Sequence, residues 1–408
     1  MLRASCVAML LLGLTPVAEA ALAPLPPQPA DVAWPTQEWP TGPLPAGIDS
    51  ASFQAAMDQA FKDKDSNLGE TRELVIVQGG KLVHEQYAPG YSADMPLVSW
   101  SMAKSVTQAL VGVAVRQGKV NPDSPMGNPH WDANDKRARL PWRTWLQMTD
   151  GQRYLEIEAP SMAGSDASKK LFGEGRLDVA KYCAGLPLIH EPGTHWNYNS
   201  CGIVLTADAL TRTIVPSPAS PQQRRKAMLT WMRASLFDVV GMKIQPEFDA
   251  TGLVYGSALM YASARDFAKF GLLYLRDGMW EGQRVLPEGW VDYARTAGPG
   301  KNADIYGAGW WVSPQTGNGR PYPTLIDTGS LREAFWAQGF EGQFTLVVPS
   351  KDLIVVRLGR IGEEEAQWVS TFEWLGKVAQ AFPAAAAPLT TTTNDAPAPA
   401  ATSAVSKR

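Results

Sequence analysis

Histidine is scarce in this chain, and so is any excess of charge. His84, His130, His190 and His195 are the four histidines among 408 residues, and they are scattered. With no H-E-x-x-H segment, a zinc hydrolase of that kind is disfavoured. No G-x-S-x-G elbow occurs, so a Ser-His-Asp hydrolase of that type is disfavoured too. Each histidine reads most simply as structural. Net charge is −3 with both signs spread along the chain, which leaves no basic stripe for nucleic acid. No apolar run reaches the roughly 20 residues that cross a bilayer. What is present is a hydrophobic content of 45% with 19% charged residues, enough for a sizeable core and against wholesale disorder.

The first residues read as a leader. Arg3 precedes an apolar run from Val7 to Leu14, and Ala18-Glu19-Ala20 is a small-x-small cleavage signal. Residues 1–20 are therefore expected to be a signal peptide, and the protein to be exported to the periplasm or secreted, with no stable membrane insertion afterwards. Cys6 lies ahead of the apolar run, which argues against a lipoprotein anchor. Cleavage leaves Cys183 and Cys201. In an oxidising compartment an even pair is consistent with one disulfide, contributing about 3 kcal/mol. Two buried free thiols fit equally well.

Residues 21–65 are a lead-in segment and helix: a Pro- and Ala-rich stretch, then a helix capped by Ser50 and running to about Lys62. Residues 384–408 are low in complexity and expected to be disordered. Between them, 66–383 reads as one domain. Two β-rich runs flank Gly79-Gly80, a hairpin signal. A helix is expected from Ser101 to Gly118, with Val106, Leu110 and Val113 on its buried face. Residues 119–255 form a mainly helical insertion. Ser263 and Asp266 resemble a capping box that starts another helix. The segments GAGWWV, EAFWAQG, QFTLVVP and LIVVRLG then read as strands, followed by a terminal helix. Short turns between the last strands imply antiparallel pairing. Strands at both ends with helices between suggest an α+β domain.

A serine hydroxyl needs a base within reach to act as a nucleophile. Lysine can replace histidine, and residues three apart on a helix are neighbours. Ser101 is the only serine three positions before a lysine, here Lys104. A lysine is a base only when neutral, which burial or another cation favours. Trp100, Met102, Ala103 and Val106 supply apolar cover. The free N–H groups of a helix start favour a developing oxyanion. Alone, the pair reads more simply as a surface contact. Two further segments change the balance. EPGTHWNYNSCG brings Tyr198, which can relay a proton to Lys104 or act as a tyrosinate. AFWAQGFEGQFTLVVP brings Gly339, where a substrate can approach backbone N–H groups.

In the order and spacing of these segments, the chain resembles the serine β-lactamase-related family of class C β-lactamases, DD-peptidases and esterases. Its pattern is most similar to the branch that contains 6-aminohexanoate-dimer hydrolases. The resemblance covers about 66–382. It implies an α+β β-lactamase/DD-peptidase-like fold: an antiparallel sheet flanked by helices with a helical inserted subdomain. SWSMAKS matches the S-x-x-K box, implying Ser101 as nucleophile and Lys104 as its base partner. YNS resembles the Y-x-N box, implying Tyr198 as acid or base and Ser200 as a polar substrate contact. AQG stands where K-T-G or H-T-G is found, implying substrate contacts at Gln338 and Gly339. The same alignment implies an oxyanion hole from the N–H groups of Ser101 and Phe340.

One departure bears on substrate. The third box's cation or imidazole is replaced by Ala337, which offers neither charge nor hydrogen bond. A small ester or linear amide is therefore expected, cleaved through an acyl-enzyme without metal or cofactor. A β-lactamase or DD-peptidase is the alternative within the family. A catalytically inactive binding protein is the alternative outside it, disfavoured because Ser101, Lys104 and Tyr198 are all present. Trp100, Trp196, Trp310, Trp311 and Trp336 lie near these segments, as pocket lining or as plain core. Glu341 reads equally as a substrate contact or a solvent-facing strand residue. Asp132 and Asp135 read as an exposed loop, and 221–228 as a solvated helix start.

Overall fold

Gly79 and Gly80 have φ of 59° and 73°, the left-handed pair that a two-residue hairpin turn requires. They join β1 (Glu70–Gln78) to β2 (Lys81–Tyr87), behind helix α1 (Ser50–Phe61). The computed structural model describes residues 22–62, 67–156, 159, 161–217, 219–312 and 333–385. The expected signal peptide at 1–20 and nearly all of the expected tail lie outside these residues. Of the tail's first residues, Ala385 donates its N–H to Ser350 O at 2.9 Å.

Between β2 and the closing strands the chain is mostly helical. In order come β3 (Leu97–Val98), α2 (Ala103–Arg116), α3 (Trp142–Leu146), α4 (Asp166–Phe172) and α5 (Val179–Ala184). Then follow α6 (Ser200–Ile214), α7 (Pro221–Met232), β4 (Gln245–Pro246), β5 (Met260–Ala262) and α8 (Ala264–Leu275). A small hairpin, β6 (Met279–Trp280) and β7 (Gln283–Arg284), precedes α9 (Trp290–Arg295). The chain returns to strands at β8 (Trp311–Val312), β9 (Phe335–Gly339), β10 (Gln343–Val348) and β11 (Leu353–Arg360), and ends in α10 (Glu365–Ala381).

The first and last strands meet in one six-stranded antiparallel sheet of order β2-β1-β11-β10-β9-β8. Alternation along the strands divides the core in two. Leu74, Ile76, Trp336, Leu346 and Val355 face α1 and α10. Val75, Val77, Ala337, Val347 and Ile354 face the core that contains α2, α6 and α8. The lead-in runs over this second side. Arg276 holds it through Gln28 and Pro26, and Trp280 Nε1 donates to Thr36 Oγ1 at 2.7 Å.

Four expectations need correction. Asp49, not Ser50, caps α1, because its carboxylate already accepts the N–H of Ser52. The helix expected from Ser101 begins as a 3-10 turn over Trp100–Met102, with α2 proper starting at Ala103. Its burial is not confined to one face: every residue from Ala103 to Ala114 is buried. Of GAGWWV only Trp311 and Val312 pair as a strand, since Gly309 at φ 73° turns the chain just before them. The Ser263–Asp266 capping box is formed as expected, with each side chain accepting the other residue's N–H.

Candidate active site

Ser101 sits where β3 turns into α2, and the turn is forced by Trp100. Its φ of 43° lies in the left-handed region, which a bulky residue rarely occupies. Trp100 is held there from across the cleft. Its Nε1 donates to Glu341 Oε2 at 3.2 Å, and its ring meets Phe340 edge-on at 5.8 Å. Glu341 is itself left-handed at φ 60° and also contacts Arg360 Nε at 3.3 Å. It lies in the 3-10 turn Phe340–Gly342, not in a strand, and its carboxylate braces the turn that carries Ser101.

One turn along, Lys104 Nζ donates to Ser101 Oγ at 2.7 Å and to Ser257 O at 3.1 Å. Lys104 is 1% exposed. Burial pulls its ammonium down to about 8, with Glu156 acting against that. A second lysine shares the anchor: Lys170, on α4, donates to Ser257 Oγ at 2.7 Å. It too is 1% exposed. Burial and then the nearby Lys104 bring it down to about 7, while Glu156 opposes them.

Tyr198 ends the approach to α6. Its ring centre lies 4.8 Å from Lys104 Nζ. Trp311 stacks on it at 5.3 Å, and Tyr306 and Trp196 close the shell at 6.1 and 6.4 Å. Burial first, then Glu156 and Tyr306, push its phenol well above the ordinary tyrosine value, while Ser101 pulls the other way. The next residue, Asn199, caps α6: it accepts the Gly202 N–H at 3.1 Å and donates to Asp150 Oδ1 at 2.9 Å. Ser200 Oγ donates to Glu156 Oε2 at 2.6 Å. Cys201 is bonded to Cys183, tying α5 to α6 with Cα atoms 5.0 Å apart.

Gly339 is where β9 presses on the Ser101 turn. A Cβ there would stand 2.2 Å from Ser99 O, so only glycine allows this approach. The following Phe340 is held by Gln343, whose Nε2 donates to Phe340 O at 3.1 Å and Gly359 O at 2.7 Å. Buried Arg357 donates to Gly342 O at 2.7 Å.

Ser101, Ser200 and Phe340 line a common cleft of about 80 Å³ with Trp100, Glu156, Lys170 and Ser257. Met162, Ala167, Leu171, Phe172 and Ala258 complete its apolar side. Gln338 does not reach it. Strand alternation turns Gln338 toward the face that carries Trp336, whose Nε1 donates to Gln338 Oε1 at 3.1 Å. The expected Gln338 substrate contact is thereby corrected. Ala337 is on the cleft-side core but is itself buried. Of the five tryptophans near the motifs, only Trp100 is in the cleft lining; Trp310 is buried core, and Trp336 is on the opposite face of the sheet. None of the four histidines lines it. Sequence reasoning missed Lys170, Ser257 and Glu156. Lys170 left one signal: with Ala167 and Leu171 it falls on a single helical face, a charge in an apolar stripe.

The sequence model of the family described as Beta-lactamase matches residues 67–214 and 209–370. Over 314 residues the chain is 21% identical to the 6-aminohexanoate-dimer hydrolase of Paenarthrobacter ureafaciens, covering 72% of this chain and 74% of that one. Among solved structures, it is similar to a Bacillus anthracis protein assigned as a 6-aminohexanoate-dimer hydrolase. That match has a TM-score of 0.60 and 18% identity, over 89% of this chain and 92% of the other. A penicillin-binding protein homologue from Caulobacter crescentus aligns with a TM-score of 0.58 and 14% identity, over 82% and 98% of the two chains. These structures share the serine β-lactamase and penicillin-binding protein fold, an antiparallel sheet with helices. With most of its length matched to that sequence model, the chain belongs to the beta-lactamase family, a family of hydrolases.

Proposed function

We propose that this protein is an exported serine hydrolase that cleaves a small ester or a linear amide through an acyl-enzyme on Ser101. The contact of 2.7 Å between Lys104 Nζ and Ser101 Oγ, at a lysine removed from water, carries the reading. Neutral Lys104 takes the Ser101 proton as Oγ attacks the substrate carbonyl. The oxyanion is received by the N–H groups of Ser101 and Phe340. Because Tyr198 is pushed up, it stays protonated at neutral pH, which favours the relay over the tyrosinate. Tyr198 gives its proton to the leaving alcohol or amine and regains one from Lys104. Water then attacks the acyl carbonyl, losing its proton to the same base, and Ser101 recovers its proton as the acid departs.

The cleft of about 80 Å³ suits a short acyl group, and the name of the Paenarthrobacter relative supports a linear amide. Ala337 supplies no cation for a penicillin carboxylate. The test is hydrolysis of p-nitrophenyl acetate and butyrate, with nitrocefin alongside. Ser101→Ala is expected to abolish ester turnover, and a wild-type rate in that variant would sink the mechanism. Lys104→Ala and Tyr198→Phe should each lose at least about 100-fold. Export is tested by the mature N-terminus, expected just after Ala20.

A further inference from the structure

Backbone strain at this site falls on two residues that hold each other. Trp100 and Glu341 are both left-handed, at φ 43° and 60°. Neither is a glycine, and a bulky side chain is poorly suited to that region. Left alone, each turn would relax toward an ordinary backbone. A bond between them opposes this: Trp100 Nε1 donates to Glu341 Oε2 at 3.2 Å. The same indole meets the Phe340 ring edge-on at 5.8 Å. Glu341 is fixed at its own end. Arg360 Nε takes its other carboxylate oxygen at 3.3 Å, and its carbonyl accepts the Ile361 N–H at 3.0 Å.

Their places in the chain give the bond its meaning. Trp100 immediately precedes Ser101, and Glu341 immediately follows Phe340. Those neighbours carry the two N–H groups that receive the oxyanion in the reaction above. The peptide bearing the Ser101 N–H begins at the carbonyl carbon of Trp100, so the conformation held at Trp100 aims it. One residue earlier the two turns touch directly, where a Cβ on Gly339 would stand 2.2 Å from Ser99 O. A steric contact sets how closely the turns approach, not how far they part. The side-chain bond one residue on supplies that second limit.

We propose that Trp100 and Glu341 form a clasp that sets the spacing of the two oxyanion donors, with Glu341 as a positioning residue for the chemical step. The inference rests on the serine-hydrolase reading above. Glu341 touches no reacting atom and acts through Trp100. No proton or electron pair passes through the clasp, which stays closed from acylation to deacylation. Trp100 lines the cleft and so also meets substrate, whereas Glu341 is not in the lining. Glu341 is therefore the cleaner position to vary.

The experiment is steady-state hydrolysis of p-nitrophenyl acetate by the full-length protein and its variants. Glu341→Ala opens the clasp. Its kcat and kcat/KM should fall together by about 10-fold, short of the figure for outright loss of a donor, with KM nearly unchanged. Glu341→Gln keeps an oxygen for the indole N–H in a weaker, uncharged bond, and should recover to within about threefold of wild type. Trp100→Phe keeps an aromatic ring without the donor, and its kcat should fall by a similar factor to that of Glu341→Ala. The double variant Trp100→Phe/Glu341→Ala should be no slower than the slower single one, since both remove the same bond. Normal kcat in Glu341→Ala with only a lower melting temperature would overturn the proposal, because the contact would then serve the fold alone. A rise in KM alone, or losses that multiply in the double variant, would overturn it too. So would Glu341→Gln as slow as Glu341→Ala, which would make charge rather than the bond the cause. Should Glu341→Ala fail to fold by circular dichroism, Glu341→Asn takes its place. Asparagine tolerates a left-handed backbone, and its side chain is one methylene shorter. The same comparisons then decide. Ser101→Ala separates the two failures. If that variant is inactive and Glu341→Ala keeps its kcat, the hydrolase reading stands and the clasp falls. If Ser101→Ala is active, both fall.

Discussion

The two walls of the cleft are built differently. One wall is the 3-10 turn that carries Ser101, backed by α2 with Lys104, whose residues Ala103–Ala114 are all buried, polar ones included. Ser105 donates to Gly309 O and Thr107 to Gly256 O, both at 2.6 Å, so the helix is locked to the segments around it. Opposite stands α4, seven residues long, ending in Phe172, which is 62% exposed. Leu155, Leu177 and Ile189 also leave large apolar side chains in water on the neighbouring loops. Under the proposed function the reacting pair must be held to a fraction of an ångström, and Lys104, which holds Ser101, is set in the core. Under the same proposal the second wall would meet the acyl chain, which needs only shape and apolar area; α4 is anchored through buried Asp166 and Lys170 but leaves its end, Phe172, exposed. On this view, changes on the first wall should alter the chemical step, and changes on the second should alter which substrate is taken.

The largest effect is expected where the first wall meets β9. Gly339→Ala places a methyl 2.2 Å from Ser99 O, and backbone cannot swing aside as a side chain can. Either β9 or the Ser101 turn must shift, carrying the Phe340 N–H with it. Loss of one oxyanion donor costs about 100- to 1000-fold in kcat. Gly339→Ala should approach that figure, with KM for the ester little changed. A variant with normal kcat and only a lower melting temperature would separate Gly339 from the oxyanion hole.

The disulfide joins α5 to the first turn of α6, just after Tyr198. Replacing Cys183 and Cys201 together by alanine removes a link across 18 residues of sequence. The cost should be about 3 kcal/mol of stability in denaturant unfolding. Ester turnover should stay within roughly threefold, because Asn199 and Asp150 still hold the start of α6. A collapse of kcat at unchanged stability would mean that the bond positions Tyr198, not the fold.

The first wall was far more legible in the sequence than the second. Ser101 and Lys104 are three residues apart, and helical geometry makes such neighbours predictable without any tertiary knowledge. The Gly79-Gly80 hairpin and the Ser263–Asp266 box are equally local. Lys170, Glu156 and Ser257 converge from three separate segments, and no short-range rule brings them together. Gln338 failed for another reason. A strand tells which residues share a face, but not which face meets the cleft, until its neighbours are known. The 3-10 turn before α2 was hidden because a left-handed tryptophan is stable only with Glu341 and Phe340 in place. Asp49 and Ser50 both have side chains that can cap a helix, and only the backbone decides between them.

The smallest expected effect tests the second wall directly. Phe172 contributes an exposed ring to the cleft, and exposure means that its removal leaves no cavity in the core. Phe172→Ala should therefore leave the melting temperature unchanged. Under the proposed function it would meet the part of the substrate beyond the carbonyl. A methylene fully removed from water is worth about 0.8 kcal/mol, and a half-open cleft removes only part of it. The ratio of kcat/KM for p-nitrophenyl butyrate over acetate should then fall about threefold, through KM, while kcat for acetate is kept. An equal loss on both esters would show that Phe172 supports the chemistry instead. The two walls would then be one structural unit, and the division between fixed chemistry and adjustable shape would not hold for this protein.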